Sequence, residues 1–168
     1  MEFRLAALQD LPELKAVYQE LIQNMNDNQI EIWDEIYPCE FLEEDIKNNR
    51  LYVLTENEEM ISAFALCDSN SGEKEVKWKT ASGKALYIDR FGVNVKYGRK
   101  GIGSLMLTKA REVAETQGAD CLRLFVVDIN TPAINLYEKN GFTRASGIYD
   151  EVIDEELTLR EFGYEVKL

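Results

Sequence analysis

The residues Lys96-Tyr97-Gly98-Arg99-Lys100-Gly101-Ile102-Gly103-Ser104 decide the fold. Ahead of them, residues 85–95 read as a strand. Behind them, residues 101–117 place Ile102, Leu105, Met106, Ala110, Val113 and Ala114 on one helical face. The stretch is therefore a glycine-rich turn from strand to helix. Glycine lets a backbone approach an anion closely and adopt positive φ. The first turn of a helix offers unpaired N–H groups and the positive end of its dipole. Together these form a cradle for phosphate, and Arg99 and Lys100 add charge beside it. The glycines follow GxxGxG. The pattern GxxxxGK[ST] is absent, and Met106 stands where GxGxxG needs its third glycine. A plain tight turn flanked by solvated bases is the competing reading of these residues alone.

The rest of the chain supplies the other elements. Residues 2–7 alternate as a first strand. Asp10 is placed to cap a helix with Pro12 in its first turn, and Leu11, Leu14, Val17, Leu21 and Ile22 recur at helical spacing until the pattern breaks at 24–28. A second helix is expected over 39–48. Strands follow at 51–54 and 61–66, joined by the polar turn 56–59. Residues 69–84 read as an exposed loop, with Trp78 unassigned. After the central helix, Gly118 is a natural stop, 121–127 is a strand, and Thr131-Pro132 opens a short helix ending at Gly141. Strands at 142–149 and 163–168, linked by the acidic connection 150–156, close the chain. Early strands joined by a hairpin and later strands alternating with helices predict an α+β fold. Its centre is a mixed, mostly antiparallel sheet flanked by helices, in one domain over 1–168.

Composition narrows the function. With 45% hydrophobic residues the chain can build a core, and its 30% charged residues are interspersed rather than in tracts. No apolar run is long enough to cross a membrane. The first residues, Met1-Glu2-Phe3-Arg4-Leu5, do not read as a secretory signal, so the cytoplasm is the expected location. Cys39, Cys67 and Cys121 are widely spaced, which supports neither a disulfide framework nor a zinc site; Cys67 and Cys121 read as core. The chain has no histidine, so Ser-His-Asp and Cys-His nucleophiles and imidazole metal sites are excluded. The net charge is −12, unsuited to nucleic acid. From 83 to 111, however, seven bases meet one acid, for +6, which leaves −18 on the remainder. One basic segment in an acidic chain suits a local anion site.

Two segments carry a family resemblance. Phe91-Gly92-Val93-Asn94-Val95-Lys96-Tyr97-Gly98-Arg99-Lys100-Gly101-Ile102-Gly103-Ser104 resembles the acetyl-CoA motif of the GNAT superfamily. Asn130-Thr131-Pro132-Ala133-Ile134-Asn135-Leu136-Tyr137-Glu138-Lys139-Asn140-Gly141-Phe142 resembles its second core motif. The one departure is Gly98, where the family has Gln or Arg, with Arg99 one place along. The resemblance implies an N-acetyltransferase that uses acetyl-CoA and an amine, and is compatible with a homodimer. It implies that the backbone of Phe91, Gly92 and Val93 pairs with the pantetheine arm. It gives the pyrophosphate to the amides of Gly98, Arg99, Lys100, Gly101, Ile102, Gly103 and Ser104, and the pantetheine region also to Asn130. Tyr137, which by spacing alone reads as a core tyrosine reaching the rim, becomes the proton donor to the departing thiolate.

The reaction needs a neutral amine, although a free alkylammonium has a pKa of about 10.4. Asp89, on the strand before the turn, lies where the resemblance implies a base, acting directly or through water; a salt bridge to Arg90 or Lys84, or an exposed strand residue, is its other reading. Trp33 and Tyr37, among Glu31, Asp34 and Glu35, lie where the resemblance implies the acceptor pocket, and aromatic faces with carboxylates suit a cationic amine; a docked loop is the other reading. No metal is expected. The alternatives are a non-catalytic acyl-CoA-binding protein of the same fold and an unrelated phosphate-ligand binder.

Overall fold

The computed structural model describes residues 1–80 and 82–168; of the expected loop at 69–84, Ala81 lies outside the described residues. The strands form a mixed, mostly antiparallel sheet. Two compact units divide the chain: Met1–Leu66 with Arg90–Met106, and Cys67–Asp89 with Leu107–Leu168.

The first unit contains β1 (Glu2–Leu5), α1 (Leu11–Asp27), α2 (Cys39–Lys47), β2 (Leu51–Glu56) and β3 (Glu59–Cys67). Strands β1, β2 and β3 are antiparallel, with Phe3 opposite Leu54 and Tyr52 opposite Phe64. The β2–β3 hairpin turns on Asn57 and Glu58, both at positive φ, as a two-residue hairpin of right-handed strands requires. Rings of Phe3, Tyr52 and Phe64 stack at 5.5–6.1 Å. Helix α1 buries Leu14, Val17, Tyr18 and Ile22. It continues through the expected break, where Gln23 donates to Asp27 and Asn28 to the Asn24 carbonyl on its exposed side. Asp10 does not cap it by its side chain. The carboxylate turns back to the Ala7 N–H at 2.7 Å and to Arg4 at 2.8 Å, because a basic residue on β1 competes for it.

The second unit holds the start of β4 (Ala85–Val93), then β5 (Cys121–Val127), α4 (Thr131–Lys139), β6 (Thr143–Arg144), β7 (Tyr149–Val152) and β8 (Thr158–Lys167); α3 (Ile102–Thr116) runs into it from the first. Strands β4 and β5 are parallel, with α3 as the crossover such a pair needs. Strands β6 and β7 both run antiparallel to β8.

The C-terminal expectation needs correction. The strand expected over 142–149 is interrupted, leaving β6 with two residues, because Gly147 sits at φ 93. The acidic connection expected over 150–156 begins inside β7, and β8 starts at Thr158 rather than Gly163. Asp150 and Glu151 conceal the alternation, and the turn is tied where Asp154 Oδ1 accepts the N–H groups of Glu156 and Leu157. Cys121 is buried as expected and Cys39 is buried with it, but Cys67 is only half-buried at the end of β3.

Candidate active site

In the first unit, the glycine turn is anchored before it begins. Asn94 is buried: its N–H donates to the Ile61 carbonyl at 2.8 Å and its amide to the Met60 carbonyl at 2.9 Å, while Oδ1 accepts Lys96 N–H at 3.0 Å. A 3-10 turn over Val95–Tyr97 follows. Lys96 and the Tyr97 hydroxyl both reach Glu59, at 2.8 and 2.9 Å, and the Lys100 ammonium lies 5.4 Å from the Tyr97 ring centre. Two of the expected basic residues therefore have internal partners, while Arg99 is exposed.

Arg99 and Gly101 both lie in the left-handed region, at φ 60 and 79. The Gly101 carbonyl accepts Leu105 N–H at 3.1 Å and so opens α3, whose buried Ile102 and Met106 fix its first turn. A Cβ added at Gly101 meets nothing within 4 Å, so the space over the helix start is open. At Gly98, φ is −61 and the nearest atom to an added Cβ is the Val95 carbonyl at 3.4 Å. That conformation does not require glycine. Gly92 is different, since an added Cβ would come within 2.9 Å of Leu21 and 3.1 Å of Tyr18. Its carbonyl accepts the Ser62 hydroxyl at 2.6 Å, so this residue is a point of close packing on α1. Phe91 and Val93 beside it are half-buried.

The expected acceptor residues form an aromatic row. The ring of Trp33 lies 5.8 Å from Tyr18 and 6.4 Å from Tyr37, which lies 5.2 Å from Phe41. Arg90 stands 6.0 Å from the Tyr37 ring and 5.6 Å from that of Phe41. Arg90 also pairs with Asp45 at 2.6 Å, and Arg50 pairs with the same carboxylate at 2.7 Å. Asp45 was not anticipated as a key residue, yet it follows Leu42 by three and precedes Ile46 on the inward face of α2, which was the available signal. Asp34 holds its own loop, accepting the N–H groups of Ile36 and Tyr37 at 2.8 Å.

In the second unit, Asn130 caps α4 by accepting Ala133 N–H at 3.4 Å. Tyr137 is buried on that helix with its ring 6.1 Å from Phe142. Burial alone pushes its hydroxyl above the ordinary phenol range, so it is protonated at neutral pH. Asp89 is half-buried and accepts from the Asn70 amide at 3.2 Å. Arg90, its neighbour on the strand, pairs with Asp45.

Glu161 is the residue the sequence reading missed, because β8 was expected to begin beyond it. It is 9% exposed. Burial, then a hydrogen bond with Glu151, then the charges of Glu151 and Asp89 push its carboxyl far above the usual carboxylate range. An unfolded glutamate titrates near 4.3. Above that pH the folded chain keeps a proton that the unfolded chain has lost, so stability falls as pH rises toward the raised folded value. The expected slope is up to about 1.4 kcal/mol per pH unit. Glu161→Gln should flatten it, as urea unfolding at pH 5, 7 and 9 would measure; an unchanged slope would assign the proton elsewhere.

The comparisons with known proteins agree with one another. The model of the Acetyltransferase (GNAT) family matches residues 14–142. Bovine (Bos taurus) thialysine N-epsilon-acetyltransferase is 37% identical over 73 residues, which cover 42% of this chain and 43% of that protein. The match therefore spans less than half the length of that relative. A putative acetyltransferase from Staphylococcus aureus Mu50 superposes with a TM-score of 0.74 at 22% identity, covering 99% of each chain. The PaiA N-acetyltransferase of Thermoplasma acidophilum, solved with coenzyme A, superposes with a TM-score of 0.69 at 22% identity over 99% of this chain and 98% of its own. At these identities the two structures establish a shared fold. Among the described residues, no helix is long and apolar enough to cross a membrane.

Proposed function

Because the chain belongs to the GNAT acetyltransferase family, we propose that it moves an acetyl group from acetyl-CoA to a primary amine by direct attack in a ternary complex. The observation that carries this reading is the left-handed Gly101 at the mouth of α3, with open space above it. Amides of residues 98–104 bind the pyrophosphate there, helped by the helix dipole. The backbone of Phe91, Gly92 and Val93 takes the pantetheine arm, and Asn130 assists while capping α4. Acetyl-CoA supplies an activated acyl thioester. Tyr137 supplies the proton that the departing sulfur needs. Asp89 accepts the amine proton, directly or through water. The reaction proceeds in the cytoplasm, within one catalytic domain.

Gly101→Val tests the cofactor assignment. A branched side chain there would occupy the open space and also strain the backbone, at a cost of about 1–2 kcal/mol. Gly118→Val is the matched control, since Gly118 is also at φ 79 with nothing within 4 Å. Both variants should lose similar stability. Calorimetry should show acetyl-CoA affinity reduced tenfold or more in Gly101→Val alone; equal affinity in the two variants would remove the pyrophosphate from this turn.

A further inference from the structure

The second unit carries a built feature around Glu161, a residue that the reaction as described leaves unused. Tyr149 on β7 pairs with Glu161 on β8, and Glu161 pairs with Val127 on β5. Paired residues share a sheet face, as do residues two apart on one strand. Glu161, Tyr149, Glu151 and Phe125 thus lie on one face. The Phe125 ring is 5.6 Å from Tyr149 and 5.5 Å from Trp78. Trp78 in turn lies over Gly163, where an added Cβ would come within 2.8 Å of its ring. Two aromatic rings, Phe125 and Tyr149, therefore share the face of a carboxyl group placed in the sheet.

Two features of that carboxyl point to an occupant. Glu161 Oε2 is buried and accepts no hydrogen bond among the described residues. Such an atom costs about 1–3 kcal/mol when nothing satisfies it. The charged groups that act on Glu161 are also both acidic: Glu151 from β7 and Asp89 from β4. Tyr149 is the remaining titratable group opposite it, and β5 presents Val127 and Phe125. Arg123, elsewhere in this unit, is already committed to Glu165, to the Tyr87 hydroxyl, to the Thr80 carbonyl and to the Trp78 ring. No group of three His, Cys, Asp or Glu is placed to hold a metal ion among the described residues.

We propose that this face is the subsite for an alkylammonium group of the acceptor, held by Glu161 with Glu151 and Asp89 around it and Phe125 and Tyr149 beside it. The word acceptor rests on the N-acetyltransferase reading; the cation site itself does not. An ammonium brings three donors, one of which satisfies Oε2, and its methylene stem suits the rings. The proton balance is definite. The free carboxyl carries a proton at neutral pH, and it must leave to solvent as the ammonium enters, so one proton is released for each cation bound.

The test is calorimetric titration of the full chain, saturated with coenzyme A, using 1,4-diaminobutane at pH 7 in buffers of different ionisation enthalpy. Butane-1,4-diol serves as the uncharged probe. The expected result is diamine binding with close to one proton released, no diol binding, and at least tenfold weaker diamine binding without proton release in Glu161→Gln. Absence of diamine binding, equal binding of the diol, or binding without proton release in the parent would each overturn the proposal, and none of these needs the variant to fold. Coenzyme A affinity measured in the same preparation keeps the two readings apart. Normal coenzyme A binding without a diamine response rejects the cation site alone, whereas a diamine response without coenzyme A binding rejects the cofactor assignment alone.

Discussion

Tyr137→Phe should keep acetyl-CoA affinity, change stability by no more than about 1 kcal/mol, and lose about a hundredfold in single-turnover rate. The ring is buried against Phe142, and phenylalanine preserves that packing. Only the hydroxyl proton is removed. Burial raises the hydroxyl pKa, so the group is protonated across the working range and can serve as an acid but not as a base. A departing thiolate needs such a donor, and general acid catalysis typically contributes on the order of a hundredfold or more. The rate must be read from a single turnover, because slow product release would hide the loss. A full single-turnover rate would leave Tyr137 as a packing residue.

Asp45→Ala should destabilise the chain by about 3–5 kcal/mol. Asp45 is fully buried, and both of its oxygens are engaged by Arg90, at 2.6 and 2.9 Å. The Arg90 side chain is itself 9% exposed, so removal of the carboxylate strands a buried guanidinium. The Tyr18 hydroxyl, which donates to the Arg90 carbonyl, cannot compensate for that charge. Arg50 is 32% exposed and returns to water at little cost. The loss is a large part of the about 5–15 kcal/mol that holds a typical domain together. Replacing both partners, Asp45→Leu with Arg90→Met, should recover most of it, because neither charge is then left alone. Urea unfolding would measure both; a loss under about 1 kcal/mol in Asp45→Ala would show that water reaches Arg90.

Elements with strong apolar periodicity were legible from sequence. The α3 stripe from Ile102 to Ala114 and the strand Cys121–Val127 needed only local spacing. The glycine turn was legible because positive φ at Gly101 is a local demand. What local spacing could not show was partnership. Nothing in the spacing of Arg90 says that it reaches Asp45, forty-five positions away. Likewise nothing in the spacing of Tyr37 says that Arg90 stands beside its ring. Strand β7 escaped notice because acids occupy it, and Glu161 escaped with it. A glutamate reads as a solvated residue until the neighbouring strand supplies Glu151 and burial supplies the proton.

Acetyl transfer to an amine is tested most directly by incubating the intact chain with acetyl-CoA and a panel of primary amines while following free thiol and the mass of each amine. The expected result is thiol release that depends on the amine and matches, mole for mole, a product heavier by one acetyl group. Firm acetyl-CoA binding with no thiol release on any amine would contradict it, and would leave a protein that binds acyl-CoA without catalysis.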